Sequence, residues 1–172
     1  MGFCNASCSF TRFRIIDPIP SELWTQIPDK LRQFAFRDID DLPEMQAYGW
    51  VCFEDMLDSE WRTAPPHKGA YLRFSLRLDT RRIPAAVIKK HLTLALKAEK
   101  EKMQEQGKKF ISRERKKELK EQVLLRLRQR FLHIPAEFNV IWATDRNEVW
   151  FASTQGKIID LFMEAFLNSF EL

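Results

Sequence analysis

The sequence predicts an α+β fold, in which helices pack on an antiparallel sheet and a basic antiparallel helical hairpin protrudes. Three observations support this class. Short segments of alternating apolar and polar residues occur in both halves of the chain, and two long segments with helical periodicity lie between them. The 172 residues are 45% hydrophobic, which is sufficient for one ordinary core. We therefore expect a single domain over residues 1–172, with residues 84–131 as a helical-hairpin subdomain.

The first strand and helix follow directly from local patterns. Residues 9–16 alternate between two faces and end at an Asp-Pro pair, which predicts a strand. Ser21 is then expected to cap a helix, because apolar residues recur at helical spacing until about Phe36. Pro28 is expected to interrupt this helix or to start its second turn.

Two further strands are predicted before the hairpin. Residues 48–53 are rich in aromatic and β-branched side chains, which favour strands. Residues 69–78 alternate regularly, so their leucines and phenylalanine should face the core. The same alternation predicts that Arg73, Ser75 and Arg77 face solvent.

The predicted hairpin consists of two helices of about 20 residues, each about 30 Å long. Pro84 suits the first helical position, and the first helix should span residues 85–106 and end at Gly107. Ser112 can cap a second helix that runs to about Phe131. Because their apolar stripes are narrow, we expect the two helices to pair with each other and to stand partly away from the sheet.

The last part of the chain predicts a second hairpin and a closing helix. Residues 138–144 and 148–153 are two apolar runs separated by Asp145-Arg146-Asn147, which is typical of a β-hairpin. A helix from about Gln155 has a wide apolar face and should pack on the sheet. The predicted order is therefore β-α-β-β-αα-β-β-α.

Positive charge is concentrated in the predicted helical hairpin. Residues 81–130 carry 17 Lys and Arg against 6 Asp and Glu, a local net charge of +11, whereas the whole chain has +4. A concentrated positive segment attracts polyanions, and nucleic acid is the commonest of these. An anionic membrane would instead favour bulky aromatic residues opposite the charge, where these helices carry mainly aliphatic residues.

The basic residues of the hairpin are the candidate phosphate contacts. A solvated helix face is the simplest alternative, but such a face usually balances Lys with Glu at four-residue spacing. Here cations far outnumber acids, which favours phosphate contact. The predicted DNA-binding residues are Arg81, Arg82, Lys89, Lys90, Lys97, Lys108, Lys109, Arg113, Arg115, Lys116, Lys117, Lys120, Arg126, Arg128, Arg130 and Phe131.

Phe131 is included as an apolar wedge between base pairs, although such a residue more often attaches a helix end to the core. The strand at residues 71–77 offers an alternative site, a stacking platform for single strands. Core packing is the preferred interpretation of that strand, because Tyr71 is its one outward-facing aromatic residue.

No enzymatic site is predicted. Asp38, Asp40 and Asp41 lie in one turn, whereas two-metal hydrolysis needs carboxylates that converge from separate elements. The chain has no Gly-rich phosphate loop and no recognisable nucleophile setting. Cys4 and Cys8 form half of a metal-site spacing without a second pair, so neither metal nor cofactor is expected.

The predicted environment is the cytoplasm. No run approaches the roughly 20 apolar residues of a membrane span, and the first residues lack a signal-peptide pattern. An odd number of cysteines, three, agrees with a reducing compartment. The main alternative to DNA binding is a protein-interaction module, in which the hairpin docks an acidic partner or a second subunit.

Several short motifs occur together in this chain: Gly49-Trp50-Val51, the run Pro84–Lys89, the Lys/Glu-rich hairpin around Gly107, the run Leu119–Leu124, Ile141-Trp142 and the closing amphipathic helix. Together they resemble the RdgC family of recombination-associated DNA-binding proteins. They occur in the family's order from about residue 9 to residue 170 and match its N-terminal half.

The resemblance implies a non-enzymatic nucleoid protein that binds double-stranded DNA with little sequence preference. It also implies a homodimer that encircles the duplex and antagonism of a recombinase. A closed ring that needs the family's second half does not follow from this match.

Overall fold

A computed structural model of the protein describes residues 2–105, 107 and 110–172. Its helices and its six-stranded antiparallel sheet confirm the α+β class. In chain order the elements are β1 (Thr11–Arg14), α1 (Ser21–Gln33), β2 (Gln46–Cys52), β3 (His67–Lys68), β4 (Tyr71–Thr80), α2 (Ala85–Glu105), α3 (Arg113–Arg128), β5 (Ile134–Ala143), β6 (Glu148–Phe151) and α4 (Gly156–Phe170). The predicted order is reproduced with one addition, β3, which is too short to show a periodic pattern.

The chain forms two compact units. The first, which we call the sheet unit, comprises Met1–Asp38, Ala47–Asp79 and Pro135–Leu172. The second, the hairpin unit, comprises Ile39–Gln46 and Thr80–Ile134. The hairpin unit therefore contains the predicted subdomain of residues 84–131 together with a distant segment of the chain, which local periodicity does not reveal.

The sheet has the strand order β1-β6-β5-β4-β2, and β3 pairs with β4. β6 lies between two antiparallel neighbours, with Val149 opposite Phe13 on β1 and opposite Trp142 on β5. The predicted β5–β6 hairpin is thus present, although β5 begins earlier than expected, at Ile134.

Aromatic side chains form the core of the sheet unit. Trp50, Phe74, Trp142, Phe162 and Phe170 are each less than 2% exposed. Phe162 on α4 stacks on a phenylalanine of β6 with ring centroids 4.2 Å apart, so α4 packs on the sheet as predicted. The indole N–H of Trp50 donates to a serine hydroxyl of α4 at 2.8 Å, which satisfies its polar group inside the core.

Gly49 is required by a close approach of two backbone segments. The N–H of Phe36 donates to the carbonyl of Trp50, and the N–H of Trp50 donates to the carbonyl of Phe34, at 2.9 and 3.0 Å. A Cβ atom at Gly49 would lie 2.5 Å from backbone atoms of Phe36. Only glycine allows the chain after α1 to pair here with β2.

The prediction for α1 was wrong in its details. The helix begins at Ser21, so Pro20 rather than Ser21 occupies the N-cap position, and it ends at Gln33. Pro28 lies inside one continuous helix. Ile27, just before this proline, and Leu31, three residues after it, are completely buried. Their packing offsets the loss of the helical hydrogen bond that proline, which has no N–H, cannot donate.

The prediction that one face of β4 is solvated was also wrong. Ser75 and Arg77 are buried, at 0% and 9% exposure. The guanidinium of Arg77 donates to both carboxylate oxygens of Asp79 at 2.8 and 2.7 Å and lies over the ring of Phe36. Segments distant in sequence cover this face, so its polar residues are paired rather than hydrated.

Candidate nucleic-acid interface

The two hairpin helices pack side by side and run in opposite directions. Residues 106–112 connect them, and the guanidinium of Arg115 donates to the carboxylate of Glu99 at 2.7 Å. The hydroxyl of Ser112 accepts the N–H of Arg115 at 3.1 Å, which confirms the predicted N-cap of α3. α3 therefore begins where expected and returns along α2.

The apolar stripe of the helix pair is narrow, as the sequence predicts. Leu119, Val123 and Leu127 are buried on α3 at four-residue spacing. On α2 no described residue is fully buried, and half-buried side chains such as Leu92 and Leu96 form its inner stripe. Most of the surface of both helices is consequently open to solvent.

Charges on α3 are separated by side. Arg113, Lys116, Lys117 and Lys120 are exposed and recur at spacings of three, one and three residues, which places them on one side of the helix. The three glutamates of α3, Glu114, Glu118 and Glu121, lie outside this arc at 100° per residue, and Glu121 is the nearest, about 40° beyond Lys117. One side of α3 is thus purely basic.

α2 shows the same separation. Lys89, Lys97 and Lys100 are exposed and lie within about 80° of one another around the helix axis. Glu101 and Glu105 fall outside this arc. Lys100 is not among the contacts predicted from the sequence, although its spacing of three residues from Lys97 was a usable signal.

Both basic sides face the same way. Around the axis of each helix, the mean direction of the cations is rotated by about a quarter of a turn from the mean direction of the apolar stripe. On both helices the rotation has the sense in which the chain winds as residue number increases. Both helices are right-handed, they run in opposite directions, and their apolar stripes face each other. Equal rotations from the two stripes therefore bring the cations of α2 and α3 to the same side of the helix pair. We call this surface the basic face: Lys89, Lys97, Lys100, Arg113, Lys116, Lys117 and Lys120. No acidic residue of the described parts of α2 and α3 lies on it.

The other predicted contacts are distributed more widely. Lys90 is exposed at the edge of the basic face, about 20° beyond Lys97, and Arg126 is exposed outside it. Arg128 is half-buried, and Arg82 and Arg130 are exposed beyond the helix ends. Lys108 and Lys109 lie outside the described residues. The contribution of each to DNA binding stays a prediction.

Arg81 must be removed from the candidate contacts. It is only 4% exposed, and its guanidinium donates to the backbone carbonyls of Leu42 and Glu44 at 3.0 and 3.1 Å and of Asp40 at 3.3 Å. A guanidinium committed to buried carbonyls is not available to phosphate. Its role in the hairpin unit is structural, because it binds the distant segment before β2.

His133 completes this attachment and was missed by sequence reasoning. Its buried ring lies 3.1 Å from the carboxylate of Asp40 through Nδ1 and 3.1 Å from the carbonyl of Glu44 through Nε2. Arg81 precedes α2 and His133 follows α3, so residues 39–46 are bound at the base of the hairpin, where the chain enters it and where it leaves it.

Arg115 is a weaker candidate than its neighbours. It pairs with Glu99 at 2.7 Å and with Glu118 at 2.9 Å. The hydrogen bond from Arg115 holds the pKa of Glu99 below its usual value, and the same bond raises the pKa of Arg115. Because two carboxylates already compensate its charge, Arg115 mainly joins α2 to α3.

Two phenylalanines of the hairpin unit differ in accessibility. Phe131, the predicted wedge, is half-buried, and its N–H donates to the carbonyl of Leu127 at 3.2 Å just beyond α3. Phe110, in the connection between the helices, is 86% exposed. Sequence reasoning did not single out Phe110, because exposure in a connecting segment has no periodic signature.

The described residues contain no group of three or more His, Cys, Asp or Glu side chains placed to hold a metal ion. Asp40 of the acidic turn instead contacts His133. None of the helices in the described part of the chain is long and apolar enough to cross a membrane.

Comparison with known proteins identifies a family. A search of curated proteins found no significant match. The family model described as "RdgC: Putative exonuclease, RdgC" matches residues 9–171, which is nearly the whole chain and includes the sheet and the helical hairpin. The chain therefore belongs to the RdgC family of recombination-associated nucleoid proteins.

Proposed function

We propose that the protein binds double-stranded DNA through the basic face, with little preference for base sequence. The observation that carries this proposal is the charge separation on the helix pair: seven exposed cations lie together without an acid among them. A merely solvated pair of helices has no need of such separation, since mixed charges keep a surface equally soluble.

The mechanism is electrostatic. Lysines and arginines of the basic face neutralise phosphates and release condensed counterions, so affinity falls steeply with salt concentration. From Lys89 to Lys100 the face extends about 16 Å, which is close to the axial rise of five base pairs. Cations that meet only phosphates position the duplex without reading its bases.

We propose further that binding occurs without cleavage, although the family description names an exonuclease. Hydrolysis by two metal ions needs carboxylates that converge from separate elements, and the described residues contain no such group. End-labelled duplex incubated with the protein and Mg²⁺ or Mn²⁺ should remain intact. Release of labelled nucleotides in proportion to protein concentration would overturn this part of the proposal.

The decisive experiment neutralises the basic side of α3. We expect a variant with Arg113→Gln, Lys116→Gln, Lys117→Gln and Lys120→Gln to bind DNA with a weaker dependence on salt. The slope of log K against log salt should become less negative by about 3.6, which is about 0.9 for each lost phosphate contact. Two unrelated duplexes should lose affinity equally. The measurement is fluorescence anisotropy across a salt series.

A matched control removes four exposed cations from the sheet unit: Arg62→Gln, Lys68→Gln, Arg146→Gln and Lys157→Gln. This variant has the same net charge as the hairpin variant but an intact basic face. It should keep the wild-type salt slope. Equal losses in both variants would mean that net charge alone, and not the basic face, attracts DNA.

A protein-interaction role is the second candidate, because two leucines of the hairpin are exposed. Leu94 and Leu125 are 53% and 50% exposed and point away from the seam between the two helices, outside the arcs of the basic face. A protein partner would bury an exposed leucine favourably. Competition separates the two roles: excess duplex should not displace a partner bound through the leucines, whereas it should displace one bound to the basic face.

Assembly and biological role remain part of the proposal. We propose that the protein acts as a homodimer at the nucleoid and that its occupation of duplex DNA antagonises a recombinase. Family membership supports both statements. Sedimentation of the purified protein tests the first, and strand exchange by a recombinase on protein-coated duplex tests the second.

A further inference from the structure

Phe110 is the most exposed of the large aromatic residues in the described part of the chain. Its ring is 86% exposed, whereas the next aromatic residue, Phe10, is 47% exposed and still packs against Phe3 and Trp150. A single exposed aliphatic residue needs no explanation, but a phenylalanine that leaves nearly its whole ring in water offers a large apolar surface for binding.

The position of Phe110 links it to the basic face. It lies in the connection between α2 and α3, two residues before the N-cap Ser112 and three before Arg113. Lys116 follows one turn later on the same side of α3 as Arg113. A duplex whose phosphates contact these two cations therefore passes close to the end of the hairpin where the ring is exposed.

The first turn of α3 adds to this arrangement. Its leading backbone N–H groups have no partner within the helix, and Ser112 accepts one of them. The remaining N–H groups and the helix dipole favour a phosphate beside Phe110. An apolar ring next to a held phosphate is the combination that DNA-bending proteins use to separate a base step.

We infer that Phe110 is a base-contacting residue that inserts between neighbouring base pairs from the minor groove when DNA occupies the basic face. This inference rests on the proposed DNA binding and adds a distortion of the duplex to it. Insertion costs least at flexible pyrimidine–purine steps. Phe110 thereby introduces a weak preference for such steps into binding that is otherwise independent of sequence.

Plasmid unwinding measures insertion directly. Relaxed closed-circular DNA is incubated with the protein and a topoisomerase, and the linking-number change is read after protein removal. Wild-type protein should lower the linking number in proportion to the bound protein, because a separated base step is unwound. Phe110→Ala should abolish this change and weaken binding about 5- to 150-fold, the range measured when one stacked base contact is lost.

Two variants serve as controls. Phe110→Leu retains an apolar wedge and should retain most of the unwinding. Leu94→Ala removes an exposed apolar side chain from the middle of α2, away from the connection that contains Phe110, and should change neither readout. Because Phe110 is exposed, its replacement should not alter the folded structure, and circular dichroism verifies this.

The outcomes separate this inference from the proposed function. Wild-type protein that binds DNA with a steep salt slope but leaves the linking number unchanged would overturn the role of Phe110 and retain phosphate binding. Unwinding that survives in Phe110→Ala would also overturn it. If Phe110→Ala instead disrupts self-association of the protein without DNA, the ring contacts a second copy, and the inference is wrong. Failure of wild-type protein to bind duplex would refute the proposed function itself.

Discussion

The sheet unit and the hairpin unit use their residues in contrasting ways. In the sheet unit, large aromatic side chains such as Trp50, Trp142 and Phe162 are almost completely buried. In the hairpin unit, α2 buries none of its residues fully and α3 buries only three. The comparison teaches that folding free energy is concentrated in the sheet, whereas the hairpin keeps its surface available for charge.

The two units also differ in how charges are compensated. The buried guanidinium of Arg77 meets Asp79, and Arg73 meets Glu54. On the basic face, seven cations face solvent, and the nearest glutamates of the same helices lie at its edge. All five tryptophans belong to the sheet unit, so their fluorescence reports its unfolding alone, whereas the helical dichroism signal includes the hairpin.

The largest effect should come from the aromatic core. Phe162→Ala removes a 1%-exposed ring that stacks on Phe151, which should destabilise the sheet unit by about 3–5 kcal/mol. The measurement is urea unfolding followed by tryptophan fluorescence. Leu167→Ala on the same helix replaces a 41%-exposed side chain and should cost much less. Equal losses of unfolding free energy would show that burial in the aromatic core does not determine the stability of the sheet unit.

A smaller effect is expected at the base of the hairpin. Arg81→Met leaves carbonyls of residues 39–46 without their donor, which should destabilise the hairpin unit by about 1–3 kcal/mol. The helical signal at 222 nm should shift to lower urea while tryptophan fluorescence shifts less. Arg82→Met, one residue away and exposed, is the control and should leave both transitions unchanged.

The four α3 substitutions should affect stability less than binding. Removing like charges from an exposed surface typically changes stability by less than about 0.5 kcal/mol per site, and here it relieves repulsion. Thermal melting should therefore show an unchanged or slightly raised midpoint in the variant with glutamine at positions 113, 116, 117 and 120. A large destabilisation would mean that the basic face contributes to folding.

The smallest effect concerns the Glu99–Arg115 pair. The pKa of Glu99 is held below its usual value of 4.5, so the pair contributes stability above about pH 4.5 that disappears as pH falls through the lowered value. The helical signal of wild-type protein should weaken across this window, and Glu99→Gln should show less dependence on pH there. An identical pH profile in both proteins would exclude a contribution from the pair.

Local patterns in the sequence were sufficient to predict much of this protein. The long β4, the start of α2, the capping of α3 by Ser112 and the apolar face of α4 all depend on residues within one or two turns. Concentration of positive charge on the hairpin is equally visible, because charge requires no knowledge of contacts. Three of the RdgC motifs occur in α2, α3 and α4, which helps to explain why membership was recognisable from the residues.

Tertiary structure alone decided which of these residues are accessible. Arg81 and Arg82 are chemically identical neighbours, yet the first is buried against residues 39–46 and the second is exposed. In the same way, Phe131 is half-buried and Phe110 is open to solvent. The physical reason is that burial depends on which distant segment packs on a side chain. Helical and strand periodicity describes only the face on which a side chain lies.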